Sequence, residues 1–184
     1  MRLSLLAILL GVGMGLPQIY AFANPQKFAV SVRGFSRNLP VGIFLMLLGT
    51  AWFVWNVNAE PVADFAAYKT AMLVAFSAIG ILSCFFVQDF LAVRGLAVVL
   101  LLLAKAMVDT GRSHLGETHW VWVIQGWAYL LVLAGGWFTI TPWKLRDLLN
   151  WSTATQERIK LFSGIRLAFA LFVLILGLTA FRAM

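Results

Sequence analysis

The sequence predicts an all-α integral membrane protein, a bundle of about six transmembrane helices. Three observations lead to that class. Hydrophobic residues make up 62% of the 184 residues and charged residues only 11%, with mean hydropathy +0.91. A soluble domain covers its surface with roughly 25% charged residues, so most of this surface must face lipid. Apolar runs recur along the whole chain at the length of about 20 residues that a spanning helix needs. Between the runs, basic residues and tryptophans gather, as they do at membrane–water boundaries. The length suits a single transmembrane domain over 1–184, with no room for a soluble domain beside the bundle.

The first span is expected at Leu3 to Ala23. Its start, "MRLSLLAILLGVGMGLPQIYAFA", resembles a secretory leader, with one Arg, an apolar run and an A-x-A at Ala21 to Ala23. The run is nevertheless long enough to cross, and it reads as a retained helix. Gly11 and Gly15 stand four apart, the spacing that lets two helix backbones approach closely, and Pro17 follows as a kink. The second span runs from Leu39 to Val57, with Pro40 where a missing N–H costs nothing. The third covers Thr70 to Val87 and the fourth Leu91 to Val108. Only Gln88, Asp89 and Phe90 connect these two, which demands a tight turn and places Asp89 and Arg94 at the membrane surface. The fifth covers Trp120 to Ile140, and the sixth Leu161 to Phe181.

Two connecting segments are amphipathic. In "NPQKFAVSVRGF", Phe28, Val32 and Phe35 share one helical face behind Asn24 and Pro25. In "PWKLRDLLNW", Leu145, Leu148 and Leu149 do the same. Both are expected to lie in the interface. Thr153 with Gln156 fits a capping box that would open the sixth helix below the membrane.

Orientation follows from charge. Loops one, three and five with their flanks hold Lys27, Arg33, Arg37, Arg94, Lys144, Arg146, Arg158, Lys160 and Arg166. The opposite side holds Arg2, Lys69, Lys105, Arg112 and Arg182. Nine against five places the odd loops in the cytoplasm and both ends of the sequence outside, in a plasma (inner) membrane. Trp52, Trp55, Trp120 and Trp122 then mark the outer interface, and Trp143 and Trp151 the inner one. The three cytoplasmic bends predict three related hairpins. Gln26, Phe28, Val32, Arg33 and Gly34 recur in order as Gln88, Phe90, Val93, Arg94 and Gly95, and Gly164 with Arg166 repeats the pattern more loosely.

The +7 net charge is absorbed by this topology, since basic residues collect at the face with anionic headgroups, and no nucleic-acid partner is expected. Cys84, the single cysteine, lies in an apolar run as a small hydrophobe. His114 and His119 are five apart in the loop "GRSHLGETHW", which suits no helical zinc pair. No span carries a histidine, a pair of acids or a nucleophile with its base, so neither cofactor ligation nor catalysis is expected. Lys105 and Asp109 are spaced for a local ion pair on the outer side. Arg33, Arg94 and Arg166 are the candidates for contact with an anionic lipid or an acidic partner, against the simpler reading that each snorkels to the surface. Gln18, Thr50, Ser77, Gln125 and Thr139, the polar residues inside spans, are expected to bridge helices.

These readings converge on a non-catalytic accessory or scaffold subunit that packs against a larger membrane complex or organises lipid around it. The expected partners are membrane lipids and other membrane protein subunits. The alternative is a small carrier or channel for an apolar or anionic solute, built from the repeated hairpins.

Overall fold

A computed structural model of the chain describes residues 2–60 and 63–182. Its elements are α1 (Leu3–Ala23), α2 (Pro25–Phe35), α3 (Leu39–Ala59), a short 3-10 helix (Ala63–Tyr68), α4 (Lys69–Phe86), α5 (Leu91–Arg112), α6 (Val121–Ile140), α7 (Pro142–Ser152) and α8 (Gln156–Leu178), with no strand among the described residues. Six of these, α1, α3, α4, α5, α6 and α8, are long and apolar enough to cross a membrane. The protein is an all-α, multi-pass membrane bundle.

Where the helix ends depart from the sequence expectation, polar chemistry explains it. The α3 helix keeps its expected start at Leu39, where the Asn38 side chain accepts a hydrogen bond from the Val41 amide at 3.2 Å, and runs past Val57 to Ala59. The α5 helix continues past Val108 to Arg112, and its last two turns carry a Lys105–Asp109 ion pair of 2.6 Å. The α8 helix begins at Gln156 rather than Leu161. The cap is Thr155, accepting from the Arg158 amide at 3.3 Å, and Glu157 stands in the first turn, where a negative charge meets the positive end of the helix dipole. The capping box expected from Thr153 and Gln156 does not form, because the cap lies two residues later and Arg158, not a Glu or Gln, stands at its third position. The Thr153 hydroxyl instead donates back to the Leu149 carbonyl at 2.7 Å. At its far end α8 stops at Leu178, and the fully buried Phe181 returns its amide to the Leu176 carbonyl at 2.9 Å.

The bends divide differently from the letters they share. The first and third each contain an 11-residue helix that starts with proline, α2 and α7. Each is followed by three residues, the last of which caps the next helix, Asn38 or Thr155. The second bend has no helix. It turns through Asp89 and Phe90, and Phe90 adopts a left-handed φ of 55°. Shared residues thus pair the first bend with the second, while architecture pairs the first with the third.

The chain forms two compact units. One comprises Met1–Arg33, Ala104–Leu130 and Arg146–Met184. Within it α1 and α8 run antiparallel along their length. The buried residues Leu3, Leu6, Ala7, Leu10, Gly11, Gly15, Gln18 and Ala21 form one stripe of α1 at spacings of three and four. At the α2 end of α1, Ala29 of α2 packs with Ala21 and Ile159, and Phe28 covers that cluster. Edge-to-face pairs join α6 to α8, Trp127 with Phe169 at 5.0 Å and Trp120, just before α6, with Phe172 at 5.9 Å.

The other unit comprises Gly34–Leu103 and Leu131–Leu145. Here α3 packs antiparallel to α4, with Phe53 against Phe76 at 4.9 Å, and Met46, Cys84 and Leu91 form a buried cluster. The α3 helix also runs parallel to α5. Contacts at Gly42, Gly49 and Gly95 bring the backbones of these two helices together.

Candidate functional site

In a bilayer the helices gain little from the hydrophobic effect, so close backbone approach and polar bridges decide their packing. Gly11 and Gly15, singled out as packing residues, both face α8. A Cβ on Gly11 would lie 2.8 Å from the Leu174 Cβ and 2.9 Å from the Ala170 carbonyl oxygen, which neither helix can accommodate without shifting. A Cβ on Gly15 would sit 3.6 Å from the Ala170 Cβ, an ordinary contact. Gly177 completes the seam from the α8 side, with a notional Cβ 3.0–3.1 Å from Ile8 and Ala7.

The second unit has a seam of the same kind that the sequence reading missed. A Cβ on Gly42 would lie 2.7 Å from the Ala92 amide nitrogen, and one on Gly95 would lie 2.8 Å from the Met46 amide nitrogen. A Cβ on Gly80 would overlap the Thr50 side chain. The available signal was the seven-residue spacing of Gly42 and Gly49, which stays on one helix face.

The polar residues within spans behave unequally. Gln125 does bridge helices, donating from Nε2 to the Val108 carbonyl of α5 at 3.3 Å. Thr50 and Thr139 instead donate to carbonyls of their own helices, Met46 and Gly135, each at 2.8 Å. Gln18 is buried in the first unit, and its Oε1 has no hydrogen-bond partner among the described residues.

The three arginines occupy three different settings. Arg33, at the last turn of α2, donates from Nε to the Thr153 hydroxyl at 2.9 Å and from Nη2 to the Thr153 carbonyl at 2.6 Å. Its fork is therefore committed to the α7–α8 junction within the same unit. Arg166 lies on α8 in that unit, and Arg94 on α5 in the other. Neither has an ion pair among the described residues, and the Arg94 Nε is buried without a hydrogen-bond partner. Asp89 and Arg94 do not pair, as their spacing of five implies.

In the loop between α5 and α6, His114 Nδ1 lies 2.9 Å from a Glu117 carboxylate oxygen. Among the described residues no group of three or more His, Cys, Asp or Glu side chains could hold a metal ion. At the C-terminal end of α1, Tyr20, Gln26, Lys27, Val30 and Ser31 line an open groove of about 430 Å³. No family model, characterised protein or solved structure matches the chain.

Proposed function

We propose that the protein is a non-catalytic accessory or scaffold subunit, which packs against a larger membrane complex or organises lipid around it. The observation that carries this reading is the state of α4. That helix buries only Gly80 and Cys84. It leaves Val74, Ile79, Ile81, Leu82, Phe85 and Phe86 largely exposed, with Phe86 at 80%. A spanning helix so lightly held by its own chain suits a surface completed by a neighbour, and aromatic residues supply broad, rigid contact area there. The nine-to-five distribution of basic residues supports an inner-membrane orientation with both ends of the sequence outside the cytoplasm.

A second reading, a small carrier or channel for an apolar or anionic solute, draws on Gln18 Oε1 in one unit and Arg94 Nε in the other, each buried without a hydrogen-bond partner among the described residues. Affinity purification in mild detergent separates the two. A stoichiometric large membrane partner supports the accessory reading. A lone protein that carries a bound small molecule overturns it in favour of the carrier. Reporter fusions after Phe35 and after Met184 test the orientation and should lie on opposite sides of the membrane. Identical sides would mean that the span count is wrong by one.

A further inference from the structure

We infer that the groove at the inner end of α1 seats the headgroup of an anionic phospholipid, with its phosphate on Lys27 and an acyl chain running down α1. The inference deepens the lipid half of the proposed function and does not depend on a protein partner.

The groove has the composition that a phosphodiester needs. Its wall is Tyr20 from α1 and Gln26, Lys27, Val30 and Ser31 from one face of α2. Four of the five can donate hydrogen bonds: an ammonium, an amide and two hydroxyls. None of these four side chains has a hydrogen bond or an ion pair among the described residues. They stand in contrast to Arg33 on the same helix, whose fork is held by Thr153. The sequence contains no acid before Glu60, so neither α1 nor α2 offers Lys27 a carboxylate. A cation with unused donors around it is complementary to a phosphate.

The depth of the groove favours a lipid over a free anion. It opens where α1 meets the inner interface, and anionic headgroups lie at that level. From Tyr20, the residues at four-, eight- and eleven-residue steps back along α1 are Leu16, Val12 and Leu9, which share its face. All three are exposed, at 61%, 41% and 57%. The α2 helix turns its other face inward, with Ala29 against Ala21 and Ile159. It therefore presents the groove side outward. Val30, 74% exposed, adds an apolar contact beside the headgroup. One face thus offers a polar seat continuous with an apolar track, which matches a phospholipid and exceeds what inorganic phosphate could use.

The test titrates the full-length protein in detergent micelles with phosphatidylglycerol, and separately with inorganic phosphate, counting bound molecules by native mass spectrometry. Phosphatidylglycerol should bind, and inorganic phosphate should not displace it. Lys27→Gln should lower the affinity about tenfold, the scale of one charge-assisted contact. Leu16→Ser should lower it several-fold, while Lys144→Gln, which removes a basic residue from the same leaflet, should leave it unchanged. Ser31→Ala keeps the charge and should give a smaller loss, so a folding defect in Lys27→Gln cannot hide the answer. Three results would overturn the inference: wild-type affinity in Lys27→Gln, equal losses in Lys27→Gln and Lys144→Gln, or displacement by phosphate with Leu16→Ser unaffected. The last would reduce the site to a simple anion seat. If no protein partner is captured yet Lys27→Gln loses lipid, only the subunit half of the proposed function falls.

Discussion

Arg33 and Thr153 are 120 residues apart in sequence and share two hydrogen bonds, Nε to the hydroxyl at 2.9 Å and Nη2 to the carbonyl at 2.6 Å. The hydroxyl of Thr153 at the same time donates to Leu149, so it accepts and donates along one chain of bonds from α2 into α7. This relay fixes the end of α2 against the start of α8, beside the cluster of Ala21, Ala29 and Ile159.

Arg33→Lys should therefore destabilise the protein although it keeps the charge. An ammonium cannot reproduce a planar fork that reaches a hydroxyl and a carbonyl together. The expected loss is about 1–3 kcal/mol, the usual range for a hydrogen bond made by a charged group, read as a lower melting temperature in detergent. Arg37→Lys is the control, since the Arg37 side chain makes no hydrogen bond or ion pair among the described residues. Equal melting temperatures for Arg33→Lys and the wild type would show that the two bonds contribute nothing net.

The glycines of the α1–α8 seam should rank by the space around them. Gly11→Ala brings a Cβ within 2.8 Å of Leu174 and forces the helices apart. Gly15→Ala meets only an ordinary 3.6 Å contact. Gly11→Ala should cost about 1–3 kcal/mol, as overpacking in a tight seam does. Gly15→Ala should lie within about 0.5 kcal/mol of wild type, the range for substitutions that strain nothing. The two melting temperatures, measured side by side, check this order, and its reversal would mean that α1 and α8 do not pack through Gly11.

Phe90 carries the tight turn between α4 and α5 in a left-handed conformation, φ 55°. Asn visits that region several-fold more often than most residues, whereas a β-branched residue is a genuine outlier there. Phe90→Val and Phe90→Asn both remove the ring, so their difference isolates the backbone. Phe90→Asn should be the more stable by about 1–2 kcal/mol, the scale of strain for a non-glycine residue held left-handed. Equal stability would place the turn in another conformation in the membrane.

How much could be read from the sequence depended on the kind of signal. Spans are set by composition, and five of the six expected spans began within one residue of the helix found. The exception, α8, began five residues early because a polar first turn, Gln156 to Lys160, is extended by a Thr155 cap that hydropathy does not register. The Lys105–Asp109 pair was legible because i,i+4 spacing alone brings such side chains together. The Arg33–Thr153 relay was not, because it joins residues 120 apart whose neighbours carry no shared pattern. The α3–α5 seam was hidden for a related reason. Gly42 and Gly95 matter only once the two helices are known to run side by side, and the hairpin pattern in the sequence pairs each span with its neighbour instead.

The last prediction concerns Arg94. A buried donor without a partner costs roughly 1–3 kcal/mol of desolvation, more when it belongs to a charged group. The Nε of Arg94 is in that position, and no carboxylate of the chain pairs with the side chain among the described residues. Arg94→Met keeps much of the apolar stem and removes the orphaned donor. In protein stripped of lipid and partner, this variant should melt higher than wild type, by the equivalent of about 1 kcal/mol. In protein purified gently with what it binds, the order should invert, because an anionic headgroup or an acidic partner that satisfies the guanidinium stabilises only the wild type. Lys144→Gln should change neither preparation, since Lys144 is exposed. Differential scanning measurements on both preparations decide the matter. A higher melting temperature for Arg94→Met in both would mean that Arg94 serves no ligand. A lower one in both would mean that its remaining nitrogens already find partners in water or detergent.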